Sequence, residues 1–271
     1  MFEYPQFDPV AFAIGPLQVR WYGLMYLFGF VLAWLGMRSR ARRADSPVTQ
    51  AQVSDLVFYA AVGLILGGRL GYMVFYGFAG LVQNPLSVFR VWEGGMSFHG
   101  GLIGVIVALA LYARQVGRPM LAVGDFLAPW VAPGLGLGRF GNFITGELWG
   151  AQASQDAFYA VWVNGVPRHA SQLYEAFLEG LVLFGILWWF SRKPRPMMAV
   201  SGAFLFFYGV FRVSVEFVRL PDVHLNPAAN GYLAFDWLTM GQVLSAPMIV
   251  AGGVMVVLAY RTNRFARPGS A

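Results

Sequence analysis

Long apolar runs with few charged residues are the feature that most constrains what this chain can fold into. They cover, approximately, residues 20–37, 54–76, 99–114, 121–143, 172–190, 200–218 and 241–260. A helix needs roughly 20 apolar residues to cross a bilayer, and only helices and closed barrels satisfy all backbone polar groups there. The runs lack the alternation of transmembrane strands. We therefore predict an all-α membrane protein, a polytopic bundle of about seven transmembrane helices that forms one integral-membrane domain over residues 1–271.

The composition agrees with this class and excludes several kinds of chemistry. Charged residues make up 12% of the chain, whereas soluble domains carry about 25%. The chain has no cysteine, which excludes a thiol nucleophile or thiolate metal ligands of its own. Its 3 histidines include no closely spaced pair. We therefore expect neither a metal site nor a cofactor.

Basic residues predict the orientation of the bundle. Four clusters, which follow the first, third and fifth apolar runs and end the chain, hold 12 of the 19 Lys and Arg residues. The positive-inside rule places these clusters in the cytoplasm. An odd number of spans then puts the N-terminus outside and the C-terminus in the cytoplasm. The outer face would carry the segments of about 77–98, 144–171 and 219–240, and the net charge of +6 reflects topology rather than nucleic-acid binding.

Seven arginines remain outside these clusters, in the outer half of the bundle or within the spans. They are Arg20, Arg69, Arg90, Arg139, Arg168, Arg212 and Arg219. A charge at the bilayer centre costs about 2.5–3.5 kcal/mol on insertion scales, so such residues are candidates for a functional site. Arg20, Arg90 and Arg168 are also explained by snorkelling to lipid headgroups.

The sixth apolar run carries polar residues at helical spacing. Tyr208, Arg212 and Glu216 follow one another at intervals of four, and Arg219 comes three residues later. At 100° per residue these side chains share one face of a helix. Arg212 and Glu216 could serve only as an intrahelical pair that holds the bundle together. An arginine this deep needs more than one carboxylate of its own helix, which favours a functional site.

The outer end of the fourth run reads "GRFGNFITGELWG" and holds Arg139, Asn142 and Glu147. Its glycines match the dinucleotide-binding fingerprint literally, but no strand precedes them and no soluble βαβ unit surrounds them. We interpret them as sites of close helix packing. The fifth run opens with Ser171 as a candidate N-cap and continues with Glu175 and Glu179, four residues apart; we interpret Glu175 as structural.

His99 lies at the outer end of the third run, between two glycine-rich steps, and Arg69 lies among small residues in the second run. A lone histidine is more often a hydrogen-bonded structural residue than a catalyst. Its ordinary pKa near 6.5 nevertheless makes it the natural proton acceptor near neutral pH. Guanidinium groups bind phosphate oxygens bidentately. These residues together predict an outer-facing pocket for an anionic amphiphile, with His99 as a candidate general base.

Several motifs resemble one family in order along nearly the whole chain. They are "WYGLMY", "GGMSFHGGLIG", "GRFGNFITGELWG", "RHASQLYE" and "YGVFRVSVEFVRLPD". The chain is identified by them as a member of the prolipoprotein diacylglyceryl transferase family. The resemblance implies a seven-span enzyme of the bacterial inner membrane, with its active site toward the outer leaflet. It implies transfer of the sn-1,2-diacylglyceryl group of phosphatidylglycerol to the lipobox cysteine of a preprolipoprotein, with release of glycerol 1-phosphate.

The resemblance also implies roles for individual residues. Arg139 and Arg212 would bind the phosphatidylglycerol headgroup, and His99 would occupy the position of the base. The surrounding motif residues, to which Arg69 is added as a candidate intramembrane charge, would complete the substrate site: Tyr22, Arg69, Asn142, Glu147, Tyr208, Glu216 and Arg219. Thr145 departs from the family pattern, which usually has Asn at this position.

Two other classes of function fit the composition. A transporter or flippase for an anionic substrate would also place arginines within the membrane. Such folds often contain an internal repeat with paired broken helices, and the two halves of this sequence give no convincing repeat. A purely structural membrane scaffold would leave the buried arginines without a purpose. The ordered motifs favour the transferase.

Overall fold

A computed structural model describes residues 2–15, 17–91, 94–221, 230–235 and 237–265. Within these residues the chain divides into two compact units. One comprises Met1–Gly36 and Leu127–Phe265, and is called unit 1 below; the other, unit 2, comprises Met37–Phe126. The unit boundaries fall inside helices. The prediction of one integral-membrane domain over the whole chain stays a prediction.

Helices dominate both units. They are α1 (Trp21–Arg40), α2 (Gln50–Phe75), α3 (Phe78–Gln83), α4 (Phe98–Gln115), α5 (Met120–Thr145), α6 (Ser171–Glu175), α7 (Leu183–Phe190), α8 (Ala199–Glu216) and α9 (Met240–Thr262). A π-helical segment, Ala176–Val182, joins α6 to α7 without a break. A 3-10 helix, Pro85–Phe89, lies between α3 and α4.

Six helices in the described part of the chain are long and apolar enough to cross a membrane. They are Gln52–Phe75, Phe98–Gln115, Met120–Thr145, Ser171–Phe190, Ala199–Glu216 and Met240–Thr262. The predicted class, a polytopic helical membrane protein, is confirmed by these helices. The first predicted span corresponds to α1, which has 20 residues but is not among the six. The count of seven spans and their orientation therefore stay predictions.

Five short strands in unit 1 were not expected from the sequence. They are β1 (Phe2–Glu3), β2 (Val10–Ile14), β3 (Leu17–Arg20), β4 (Val161–Val163) and β5 (Val166–Arg168). β2 and β3 form an antiparallel hairpin, and β4 pairs with β1 in parallel and with β5 in antiparallel register. The β4–β5 turn is Asn164–Gly165, and both residues have positive φ, as a tight hairpin turn requires. Strands of 2–5 residues are too short to give a clear alternating pattern.

Unit 2 is built on the packing of α2 against α4. Glycines recur every four residues on both helices, at Gly63, Gly67 and Gly71 in α2 and at Gly100 and Gly104 in α4. A Cβ atom on Gly104 would collide with the carbonyl oxygen of Gly63 and lie 2.8 Å from the Gly67 Cα. The two backbones are therefore in direct contact, the arrangement that small residues allow between membrane helices.

The core of unit 1 lies where α5, α7 and α8 meet. The buried residues there are Ala128, Ala132, Leu183, Leu187, Val200 and Ala203, with phenylalanines of α7 and α8 packed around them. On the other side of α8, Gly252 of α9 approaches so closely that a Cβ would lie 2.6 Å from the Gly202 carbonyl oxygen. This packing fixes α8, which carries two of the six residues of the charged cluster described below.

The α2–α4 contact predicts a clear stability difference between two glycine substitutions. Gly104→Ala should lower the free energy of unfolding by about 1–3 kcal/mol, because its methyl group has no space. Gly185→Ala is the matched control, since its Cβ would have no atom within 4 Å. Alanine is the better helix former, so this variant should be at least as stable as the parent. Thermal unfolding of the purified proteins in detergent measures both; equal melting temperatures would contradict the contact.

Candidate active site

Three arginines and three glutamates form one cluster within unit 1. The arginines are Arg139 of α5, Arg212 of α8 and Arg219 just after α8; the glutamates are Glu175, Glu179 and Glu216. Glu175 and Glu179 have no exposed surface, and Glu216 is 7% exposed. The structure thus brings together the two arginines predicted to bind a headgroup, together with Arg219 and Glu216 from the predicted site.

Glu175 is the centre of the cluster. Its Oε2 lies 3.0 Å from Nε of Arg139, and its Oε1 lies 2.7 Å from Nη1 of Arg219 and 3.4 Å from Nη1 of Arg212. One buried carboxylate therefore holds guanidinium groups that come from two sides of the unit. A buried carboxylate of this kind is stable only because its charge is compensated at hydrogen-bond distance.

Glu216 is the second carboxylate that orients the arginines of α8. Its Oε2 lies 2.5 Å from Nη1 of Arg212, the intrahelical pair foreseen from their spacing, and 3.6 Å from Nε of Arg219. Thr239 donates its hydroxyl to the other oxygen, Oε1, at 2.8 Å. The intrahelical pair exists, but Arg212 also reaches Glu175 on another helix, so the pair is only part of its environment.

The carboxylates contact Arg139 and Arg212 from one side of each guanidinium group. The closest carboxylate contacts are to Nε of Arg139 and to Nη1 of Arg212. Within the described residues, no protein atom hydrogen-bonds the terminal amino groups of Arg139 or Nη2 of Arg212. Arg139 and Arg212 are 23% and 15% exposed. Oriented N–H groups of this kind suit the oxygen atoms of a phosphate.

Close backbone contact explains why Arg139 and the glutamates meet. A Cβ atom on Gly136 would lie 2.9 Å from the Cα of Gly180, so α5 and the π-helical segment touch at this point. Arg139 follows Gly136 by one turn, and Glu179 directly precedes Gly180. A π-helical stretch is rare and is frequently found at functional sites. The glycines of "PGLGLGRFGNF" therefore position the cluster, as the interpretation of close helix packing predicted.

The loop after α5 holds Asn142 and Glu147 in a different arrangement. The Asn142 carbonyl accepts the Glu147 backbone N–H at 2.9 Å, and its side-chain amide donates to Oε2 of Glu147 at 3.5 Å. Asn142 is buried, whereas Glu147 is exposed. Gln172 donates to the Glu147 carbonyl, which fixes this loop to the start of α6.

Ser171 also binds this loop, and the prediction that it caps α6 is wrong. The N-cap residue is Ala170, and the Ser171 hydroxyl instead donates to the Leu148 carbonyl at 2.9 Å. Gly150, in the same loop, is in close contact with other backbone atoms. A Cβ atom added to it would lie 2.5 Å from the Val218 carbonyl oxygen. Side chain and backbone contacts thus hold the loop against the residues that precede Arg219.

Tyr4, which directly follows β1, binds the end of α5. The Tyr4 hydroxyl donates to the carbonyl oxygens of Phe143 and Ile144, both at 2.9 Å, and so satisfies carbonyls that have no partner within the helix. Burial raises the pKa of Tyr4, so the hydroxyl remains a donor well above neutral pH. Thr145, the departure from the family pattern, donates to the carbonyls of Gly141 and Asn142 at 3.2 Å. Its hydroxyl therefore makes hydrogen bonds within α5.

Tyr22 and Tyr208 lie in unit 1 with the cluster. Both interact electrostatically with Arg139. The Tyr22 hydroxyl is 3.3 Å from that of Tyr26, and the Tyr208 ring stacks on Phe204 with centroids 5.8 Å apart. Both tyrosines are therefore near enough to Arg139 to interact with its charge.

His99 and Arg69 belong to unit 2. His99 is the second residue of α4, with an exposed side chain whose ring contacts Phe98 edge-on. Arg69 is 4% exposed and donates to the carbonyls of Val88 at 3.1 Å, Ser87 at 2.7 Å, Gly95 at 3.2 Å and Gly94. Four of its five N–H groups are thus used to fasten the segment that precedes α4.

Sequence reasoning missed the importance of Glu175 and Glu179. Glu175 was interpreted as structural, and Glu179 was left without a role. The signal was present, because two glutamates four residues apart in an apolar span are costly unless they have cationic partners. The partners come from α5 and α8, which lie far away in sequence, so their meeting could not be read from local spacing.

The fold and the cluster define an integral-membrane protein with a buried, charge-compensated site. The family model described as prolipoprotein diacylglyceryl transferase matches residues 9–258. The chain is 58% identical to the phosphatidylglycerol–prolipoprotein diacylglyceryl transferase of Oleidesulfovibrio alaskensis over 265 residues, which is 97% of each chain. It is 58% identical to the enzyme of that name from Methylococcus capsulatus, over 96% of this chain and 98% of the relative. The chain belongs to the prolipoprotein diacylglyceryl transferase family.

Because Glu175 contacts all three arginines of the cluster, removing its negative charge should strongly lower the stability of the protein. Glu175→Gln leaves three partly buried guanidinium groups with one fewer carboxylate, and breaking a buried ion pair costs about 3–5 kcal/mol. The melting temperature of the purified protein should therefore fall sharply. Asp156→Asn, the same change at an exposed carboxylate, should leave it unchanged. A Glu175→Gln protein as stable as the parent would show that the cluster does not depend on this charge.

Proposed function

We propose that this protein transfers the sn-1,2-diacylglyceryl group of phosphatidylglycerol to the lipobox cysteine of a preprolipoprotein. The products are a thioether-linked prolipoprotein and glycerol 1-phosphate. The observation that carries the proposal is the pair of open guanidinium edges on Arg139 and Arg212, held in place by buried carboxylates. Family membership and relatives named for phosphatidylglycerol and prolipoprotein support the choice of substrates.

The reaction is a displacement at the glyceryl carbon that carries the phosphate. The cysteine sulfur forms the new C–S bond, and the C–O bond to phosphate breaks. The bonding pair of electrons leaves with the phosphate oxygen, which makes the departing glycerol 1-phosphate a dianion, and the thiol proton goes to a base. Arg139 and Arg212 would stabilise the charge that develops on this oxygen, because their N–H groups are already oriented toward an anion.

His99 is proposed as the group that takes the thiol proton. The reactive form of cysteine is the thiolate, and the ordinary pKa of the thiol, near 8.5, leaves little of it at neutral pH. An exposed imidazole at the start of α4 can accept this proton. The positive potential of the arginines would increase the thiolate fraction further.

The remaining candidates are proposed to shape the substrate site. Tyr208 and Tyr22 border Arg139, Asn142 and Glu147 order the loop after α5, and Glu216 orients Arg212 and Arg219. Arg69 is proposed to contribute to the substrate site by holding the backbone that precedes α4 in place. We further propose the bacterial inner membrane as the location, with the active site toward the outer leaflet and the basic clusters in the cytoplasm.

The arginine roles can be tested by transfer of a labelled lipid from phosphatidylglycerol to a lipobox peptide. Arg139→Ala and Arg212→Ala should each reduce kcat/KM by about 100- to 1000-fold, the usual effect of losing one donor to a developing oxyanion. Arg20→Ala is the control, because Arg20 is exposed and is explained by contact with headgroups. Wild-type turnover in either of the first two variants, or loss of turnover in the control, would contradict the assignment.

The role of His99 is tested by the pH dependence of the same assay. His99→Gln should lower the rate by about 100-fold or more, as expected for the loss of a general base. It should also change the pH dependence of the rate, because the group that takes the thiol proton is lost. If His99→Gln keeps the parent rate and pH profile, His99 is not the base, and the positive potential of the arginines activates the thiol instead.

A further inference from the structure

Glu179 is a buried carboxyl group that the proposed reaction does not use. It has no exposed surface, and neither carboxyl oxygen has a hydrogen-bond partner among the described residues. The nearest cationic atom among the described residues is Nε of Arg139, at 3.9 Å, and Oε2 of Glu175 lies 3.0 Å from the same nitrogen. The positioning of Arg139 therefore does not require Glu179, although burying an unpartnered carboxyl is costly.

The charges around Glu179 come from every element that packs against it. Glu175 precedes it by one turn, Arg139 faces it from α5, and Tyr208, Arg212 and Arg219 face it from α8 and the residues that follow. The carboxylates Glu175 and Glu216 leave the three arginines with one unit of positive charge. Glu179, as a carboxylate, brings this sum to zero, and its repulsion acts twice as strongly on a dianion in the cluster as on a monoanion.

We propose that Glu179 determines which phosphate the cluster retains: the singly charged phosphodiester of the lipid substrate is held, and the doubly charged phosphomonoester product is disfavoured. The inference rests on the proposed function. It explains why a third carboxylate is buried beside arginines that two carboxylates already orient. An arginine cluster without Glu179 would bind the more highly charged product more tightly than the substrate, and product release would be slow.

The test compares two small anions that differ in charge. Glycerol 1-phosphate is a dianion at pH 8, because the second pKa of a phosphomonoester is about 6, and dimethyl phosphate is a monoanion at every pH used. Their Kd values come from thermal stabilisation of the purified protein, which requires no turnover. Glu179→Gln should lower the Kd of glycerol 1-phosphate by about tenfold more than the Kd of dimethyl phosphate. The reason is that the removed negative charge repels a dianion twice as strongly as a monoanion.

Two further variants make the comparison specific. Glu179→Asp keeps the charge and should retain the parent ratio of the two Kd values. Glu3→Gln removes an exposed carboxylate of β1 and should leave both Kd values unchanged. A merely structural role of Glu179 would change the melting temperature without changing the ratio. An unchanged ratio in Glu179→Gln would overturn the proposal.

The parent protein supplies a test that does not depend on the folding of any variant. Between pH 5.5 and 8, glycerol 1-phosphate gains its second charge while dimethyl phosphate does not. The Kd of glycerol 1-phosphate, divided by that of dimethyl phosphate, should therefore rise with pH. A ratio that falls would mean that the site prefers the dianion, and would overturn the proposal. Because the transfer assay is separate, loss of the charge preference with normal turnover would leave the proposed function intact.

Discussion

Three arginines of unit 1, two within candidate membrane-spanning helices and one just after α8, depend on carboxylates that are themselves buried. An uncompensated charge within an apolar span would be too costly to retain, and the carboxylates compensate it through close contacts at Nε of Arg139 and Nη1 of Arg212. The same arrangement leaves the remaining N–H groups oriented but unoccupied by protein. Stability and anion recognition therefore come from one set of contacts.

Backbone proximity places these contacts. Gly136 and Gly180 let α5 touch the π-helical segment, and Gly202 and Gly252 fix α8 against α9. The loop after α5 is tied on one side to α6 through Ser171 and Gln172, while Tyr4 holds the carbonyls at the end of α5. Small residues and short polar contacts, rather than a large apolar core, thus determine where the cluster forms.

The sequence predicted the helical class, the family and all three arginines of the cluster, because long apolar runs and intramembrane charges are strong local signals. It also predicted the Arg212–Glu216 pair, because these two residues are four positions apart on one helix. It did not predict Glu175 as the hub, since its partners lie 36 or more residues away in the chain. The short strands were missed because two to five residues give no clear alternation. Arg69 was a candidate because it is a charge among small residues in an apolar run, and its side chain donates to four backbone carbonyls.

The central claim is that the open edges of Arg139 and Arg212 hold the phosphate of phosphatidylglycerol. The most direct measurement is a cryo-EM structure of the protein in phosphatidylglycerol nanodiscs, with a lipobox peptide whose cysteine is replaced by alanine so that no transfer occurs. The account predicts phosphate oxygens within hydrogen-bond distance of the terminal amino groups of Arg139 and of Nη2 of Arg212, with Glu175 still bound to both arginines. A headgroup bound elsewhere, with these edges facing only water or protein, would contradict it.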